Sequence, residues 1–324
     1  MSDQHPVSRR DFVRAAAVGL GGLSAAGLPG AGVPEAAAAQ AGRPAQAAGA
    51  HDKIVITLSP SGRSSLPGSP QTDTRDVNAH VAAALEGINA GAAVAHVRGG
   101  NLPGGGGPNL DSWRQLTEQI RARSSAIVNY GSSGMPAPVR KNLIGTLKPD
   151  AASVLVGHHF GGTPIPFEMQ NQTVIDHLAL GVLPEIELFH SGDVANLNRL
   201  VETGLLRPPY CVTIFLNYNA YYRVPPTVLQ LGAMLELLPP GTHWTLNVKG
   251  PKHFDMAAVA ISRGGHVRTG LENDVMVGER PAKSNGECVE RIVQIAHSLG
   301  REIASPADAR QALGLPRKPE TVTA

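Results

Sequence analysis

The chain has 324 residues and a formal net charge of +2, with basic and acidic side chains interspersed, so no basic face points to nucleic acid. Aromatic residues make up only 4% while glycine is abundant, as in tightly packed helix-on-strand layers. The two cysteines, Cys211 in an apolar strand and Cys288 on a late helix, are too few for a disulfide framework and read as unpaired buried residues.

The N-terminus opens with Ser8-Arg9-Arg10-Asp11-Phe12-Val13-Arg14 and an apolar run over residues 15–28, broken by Pro29. That run is only moderately hydrophobic, whereas a membrane span needs ~20 strongly apolar residues. It predicts a twin-arginine (Tat) export signal over residues 1–41, with Ala39-Gln40-Ala41 as the cleavage site, followed by a linker over 42–52. Export through the Tat translocase places the mature chain in the periplasm or outside the cell. It favours a group inserted before export, such as a metal, and separates the chain from cytosolic coenzyme A and nucleotides. Roughly 270 residues remain, enough for one large α/β barrel or two modest domains.

From residue 53 short apolar runs alternate with helical periodicity. Strands are predicted over 53–58, 91–97, 126–130, 152–156, 185–189, 211–216, 244–248 and 265–269. A helix follows each, the first carrying Val77, Val81, Leu85 and Ile88 on one face, the last carrying Val289, Ile292, Ala296 and Leu299. Continuous apolar strands are parallel and covered on both faces. Eight such units over residues 53–316, with a short tail over 317–324, predict a single (β/α)8 TIM barrel rather than a doubly wound open sheet. The glycine-rich run over residues 99–107 lacks a GK[ST] ending and reads as a loop over the barrel mouth, not a phosphate cradle.

Active sites of such barrels form where the carboxyl ends of the strands converge. In chain order those ends carry Ser59 and Ser61, His96 and Arg98, Asn129, Ser132 and Ser133, and His158 and His159. They continue with Glu185, Glu187 and His190, Asn217 and Tyr218, then Asn247, Lys249, Lys252 and His253, and finally Arg268, Glu272 and Asp274. Glu185 and Glu187 alternate on one strand, so both face the barrel interior and need cations or a metal nearby; Lys249, Arg268, Arg98 or a divalent ion would serve. His80, His177 and His297 lie on helices and are expected at the surface, and His266 begins the last strand, at the wrong end for catalysis.

The segments Gly91-Ala92-Ala93-Val94-Ala95-His96, Pro184-Glu185-Ile186-Glu187, and residues 264–272, 282–285 and 300–306 stand in collinear order. Over residues 53–316 the chain thereby resembles the beta-keto acid cleavage (3-keto-5-aminohexanoate cleavage) family. The resemblance implies a metal-dependent (β/α)8 barrel, usually tetrameric, that transfers an acetyl group between a beta-keto acid and acetyl-CoA. It implies a zinc-type ion held by a His-x-His pair after strand two and a Glu after strand eight. His96 and Glu272 match two of these positions, but Arg98 stands in the place of the second His, and a guanidinium cannot ligate a cation. Either the metal is gone, or His158, His190 or Glu187 completes its shell. The family's base, an Asp, is here Asn273, with Asp274 one residue away; its activating Arg matches Arg268. Ser64 replaces an acid after strand one, the hydroxyl after strand three falls on Gly131 beside Ser132, Glu187 matches its family acid, and His190 stands where an acidic residue is common.

The resulting expectation is an exported barrel enzyme that cleaves a small keto carboxylate by retro-Claisen chemistry and assembles as a homo-oligomer. Glu187, Arg268 and Asp274 are its catalytic candidates, and Arg98, Asn129, Ser132 and Lys249 its substrate-binding candidates. His96 and Glu272 hold a divalent metal, zinc by resemblance, which polarises a keto oxygen, or act directly as acid and base. The alternative is an exported barrel that binds a small carboxylate without turnover. Export argues against acetyl-CoA as co-substrate in either case.

Overall fold

A computed structural model of the chain describes residues 53–60, 64–73, 75–102, 107–218 and 223–316. The expected signal peptide, linker and C-terminal tail lie outside the described residues, as do Ser61 and residues 103–106 of the glycine-rich loop.

Eight parallel strands alternate with helices in strict order. They are β1 (Ile56–Leu58), α1 (Val77–Asn89), β2 (Val94–Val97), α2 (Leu110–Arg123), β3 (Ile127–Tyr130), α3 (Ala137–Leu147), β4 (Ala151–Leu155) and α4 (Phe167–Ala179). Then come β5 (Leu183–Leu188), α5 (Ser191–Glu202), β6 (Tyr210–Leu216), α6 (Val228–Leu237), β7 (Thr242–Val248), α7 (His253–Ser262) and β8 (His266–Thr269). β1 pairs with β8 as well as β2, with Ile56 opposite Val267 and Leu58 opposite Thr269, so the sheet closes into the expected (β/α)8 barrel.

Strand alternation sorts side chains into two environments. Ile56 and Leu58, Val154 and Val156, Ile186 and Leu188, and Val212, Ile214 and Leu216 pack outward against the helices in one continuous core. Each such fully buried side chain contributes about 1.5–3 kcal/mol. Their neighbours point into the barrel. At the amino-terminal end these are apolar: Val55, Val94 and Ile127 form a plug. At the carboxyl end most are polar, while Leu155 and Phe215 form an apolar patch there with Ile165 and Phe189.

Two segments complete the barrel beyond the predicted units. A 3-10 turn (Leu271–Asn273) and a small hairpin, β9 (Met276–Val277) with β10 (Arg280–Pro281), lead into α8 (Asn285–Ser298). A last helix, α9 (Pro306–Ala312), starts at a Ser305–Asp308 capping box and packs Ala309 under the apolar plug. Its buried Arg310 reaches Asp150 at 3.2 Å, tying this floor to β4.

Two helical histidines depart from expectation. His80 and His177 are buried, because the inward stripes run through 80, 81, 84 and 87 on α1 and through 170, 173, 174 and 177 on α4. His297 is exposed, as expected. Cys211 and Cys288 are free.

Candidate functional site

The polar side chains of the carboxyl-end layer meet across the lumen. Glu185, on β5, accepts from Asn129 on β3 at 2.6 Å and from Thr213 on β6 at 2.5 Å, and lies 3.6 Å from the His96 ring on β2. These contacts join four different strands, which only inward-pointing side chains can do.

One layer higher, Arg98 and Arg268 converge on Glu272. Arg98 Nη2 lies 3.0 Å from one carboxylate oxygen and Arg268 Nη2 lies 3.3 Å from the other. Glu272 reaches this position because Gly270, at φ 134°, lets the chain turn hard against β1; a Cβ there would lie 2.2 Å from the Ser59 carbonyl oxygen. Arg268 is fully buried, donates from Nε to the Ser59 hydroxyl, and lies with its Cζ 5.3 Å from the centre of the Phe215 ring. Arg98 is partly exposed and its Nη2 reaches Tyr218 Oη at 3.5 Å.

The two β5 carboxylates are driven apart in acidity. Burial raises Glu187, and the nearby charge of Glu185 raises it further; Ser133, Arg268 and Arg98 pull the other way, leaving it at about 7. Burial also opposes the charge on Glu185, but the His96 ring, Arg268 and the Thr213 hydroxyl outweigh it and hold that carboxyl at about 2. Glu272 is likewise held at about 2, burial being outweighed by Arg98, Arg268 and His96. His96 is lowered to about 4 by burial and by Arg268, so its ring is neutral at neutral pH. A buried pair of carboxyls split in this way provides one permanent anion and one group poised to carry a proton.

The structure thus brings His96, Arg98, Asn129, Glu187, Arg268 and Glu272 to a single mouth. Ser132 is buried there too, its backbone N–H held 3.1 Å from Ser153 Oγ. Among the described residues, several buried polar atoms in this layer have no hydrogen-bond partner: Glu187 Oε2, Arg98 Nε, Arg268 Nη1, Ser132 Oγ, and both amide atoms of Asn247 and Asn273. Buried polar groups ordinarily find partners. So many at one end of a barrel mark a cradle built for a polar ligand.

Two expected site residues have other duties. Asp274, considered as a base, accepts from Ser64 Oγ at 2.9 Å, Ser65 N at 2.7 Å and Ser65 Oγ at 2.5 Å. Burial would raise its pKa, but these donors and Lys249 more than reverse this and hold it below its ordinary value, which makes it a poor proton acceptor. Lys249 is spent on the same carboxylate, at 3.2 Å, rather than on Glu185 or Glu187. Among the residues not singled out from sequence are Thr213 and Ser153. Both lie on the inward stripe of their strands, so the two-residue period was the available signal. His253, at the start of α7, is a structural tie whose ring nitrogens contact Val248 O and Thr269 Oγ1 at 2.7 and 2.9 Å.

The metal positions that the resemblance implied do not fit an ion. Both Glu272 oxygens are engaged by guanidinium groups, and the Arg98 guanidinium lies beside the His96 ring. A cation there would meet two permanent positive charges, each opposing it by about 4 kcal/mol per unit charge at 4 Å in a partly screened site. Among the described residues another group could hold a metal ion: His158, His190 and Asp193, after β4 and β5, offer ligand atoms all within 4.8 Å of one another.

Fold and site together define a (β/α)8 barrel of the enzymatic kind, with its charged cluster at the carboxyl ends of the strands. A family model described as beta-keto acid cleavage enzyme matches residues 53–315. The chain belongs to the beta-keto acid cleavage enzyme family, and is an enzyme of cleavage or transferase type. It is 34% identical over 235 residues to a 3-keto-5-aminohexanoate cleavage enzyme of Fusobacterium nucleatum, covering 70% of this chain and 85% of that one. It is 30% identical to a second enzyme of that name from Acetoanaerobium sticklandii, over 82% of this chain and 99% of the relative. A 3-oxoadipate:acetyl-CoA acetyltransferase of Cupriavidus necator is 26% identical, with 81% and 94% covered. Among solved structures, apo ObcA superposes with a TM-score of 0.58 at 19% identity, over 75% of this chain and 65% of that one, a likeness of fold alone.

Proposed function

We propose that this chain cleaves a small beta-keto carboxylate between its keto carbon and the adjacent carbon, in a retro-Claisen reaction. The observation that carries the reading is Glu187, a buried carboxyl at about 7 that feels the charges of Arg268 and Arg98, among unpartnered polar atoms at the barrel mouth.

Arg98 and Arg268 present N–H donors to the substrate carboxylate and to the keto oxygen as it gains negative charge. Asn129, Ser132, Asn247 and Asn273 supply neutral donors and acceptors that fix orientation. Glu187 takes a proton from an attacking water, the acceptor outside the cytosol, and returns it to the carbon that leaves with the bonding electron pair. The acyl fragment leaves as a carboxylic acid, so atoms and charge balance. Asn273, in the place of the family's base, and Asp274, held by Ser64 and Ser65, leave this duty to Glu187. A zinc-type ion, where taken up, would be held by His158, His190 and Asp193 and would add positive charge at the ends of β4 and β5.

Incubating the mature protein with a panel of short beta-keto acids, with and without acetyl-CoA, and following products by NMR tests this reading. Paired cleavage fragments are expected. If no member of the panel is cleaved while keto acids still raise the melting temperature, the barrel only binds carboxylates. Residues 1–41 are proposed to direct Tat export, which makes water rather than coenzyme A the acceptor. An Arg9→Lys/Arg10→Lys variant is then expected to stay cytoplasmic on fractionation, and unchanged export would refute the signal. The chain is further proposed to form a homo-oligomer through outer helices that expose Phe167, Leu178 and Leu229; a monomeric mass by light scattering would refute it.

A further inference from the structure

We propose that the Arg98 guanidinium, seated over Gly131, occupies the position between His96 and Glu272 where a divalent cation would otherwise sit, so that this end of the barrel meets the substrate's planar carboxylate and keto oxygens with N–H donors instead of an ion. The proposal rests on the keto-acid reading above and deepens it.

Three observations converge. Arg98 Nη2 lies 3.0 Å from Glu272 Oε1, and the other carboxylate oxygen is taken by Arg268 at 3.3 Å, so neither oxygen is left for an ion. A Cβ built on Gly131 would lie 2.6 Å from Arg98 Nε and equally 2.6 Å from His96 Nε2. Guanidinium and imidazole therefore share the space above this glycine, and a side chain at position 131 would force Arg98, His96 or both to shift. Finally, Arg98 Nε and Arg268 Nη1 are buried without a partner among the described residues, which leaves a donor on each guanidinium for an anion.

The exchange changes the chemistry as well as the charge. A metal binds substrate oxygens by accepting lone pairs, in a geometry set by its remaining ligands. A guanidinium binds through a planar fork of N–H groups and favours bidentate contact with a planar anion. Arg98 and Gly131 thus act as a pair, the missing side chain at 131 being the condition for the large one at 98.

Metal content settles the point without turnover. The mature protein and its His96→Ala variant are stripped with chelator, reloaded with cobalt(II), dialysed and analysed for bound metal. Equal cobalt content is expected, because ions held elsewhere do not depend on His96. An equivalent of cobalt that His96→Ala or Glu272→Gln abolishes would overturn the proposal. Arg98→His is expected to gain one equivalent, with visible d–d absorption of a low-symmetry site, and to lose it again when combined with His96→Ala; a folded Arg98→His that gains none also contradicts it. Gly131→Ala is expected to weaken acetoacetate binding, measured by calorimetry, at least tenfold; unchanged affinity would contradict the coupling of the two positions. If no keto acid is cleaved, the function reading fails while the cobalt counts still decide this one.

Discussion

At Glu187 the barrel stores a carboxyl that remains half protonated near neutrality. Its folded pKa of about 7 lies above the ordinary value of 4.5, so native chains bind its proton more tightly than unfolded ones. The stability it contributes is complete below about pH 4.5 and is lost as pH rises through about 7. Between about pH 5 and about pH 8 this amounts to a decline on the order of 2–3 kcal/mol. Glu187→Gln cannot ionise, and urea unfolding at the two pH values is expected to show the decline flattened in the variant; equal slopes in both proteins would contradict it. Glu185 and Glu272, held at about 2, act in the opposite sense and only below their ordinary range, so they do not mask this window. The burial that raises Glu187 suits it to the proton transfer proposed for it, since a proton carrier works best near the working pH.

At the scale of elements, the alternation of apolar runs and helical stripes made all eight strand–helix units legible, and with them the mouth where His96, Arg98, Arg268 and Glu272 meet. What escaped was whatever depends on neighbours remote in sequence. His80 and His177 carry no local sign of burial; only the packing of α1 and α4 on the sheet decides it. Asp274 looked recruitable because it follows Asn273, but the turn places it in a left-handed conformation at φ 50°, directed to Ser64 and Ser65. Lys249 pairs with Asp274 for the same reason. The hairpin of β9 and β10 was too short to show a period, and α9 became visible only as the floor under Val55, Val94 and Ile127. Gly131 illustrates the limit best. In sequence it is a missing hydroxyl, whereas in the fold it is the space that Arg98 and His96 occupy.

For the molecule as a whole, the barrel separates stability from chemistry along its axis. The amino-terminal end is closed by apolar side chains and by the buried Arg310–Asp150 pair, while the carboxyl end gathers charges and unpartnered amides. With the apolar floor at one end and the polar mouth at the other, a substitution at the mouth, such as Glu187→Gln, leaves the floor's packing untouched. This mouth is proposed to turn over keto carboxylates with Glu187 carrying the proton. The most direct test is the pH dependence of kcat/KM for the best keto acid of the panel, in the parent chain and in Glu187→Gln. A rise governed by one ionisation near 7 is expected in the parent, and a loss of about 10²–10⁴-fold in the variant. A profile flat through that range, or a variant as active as the parent, would contradict that role.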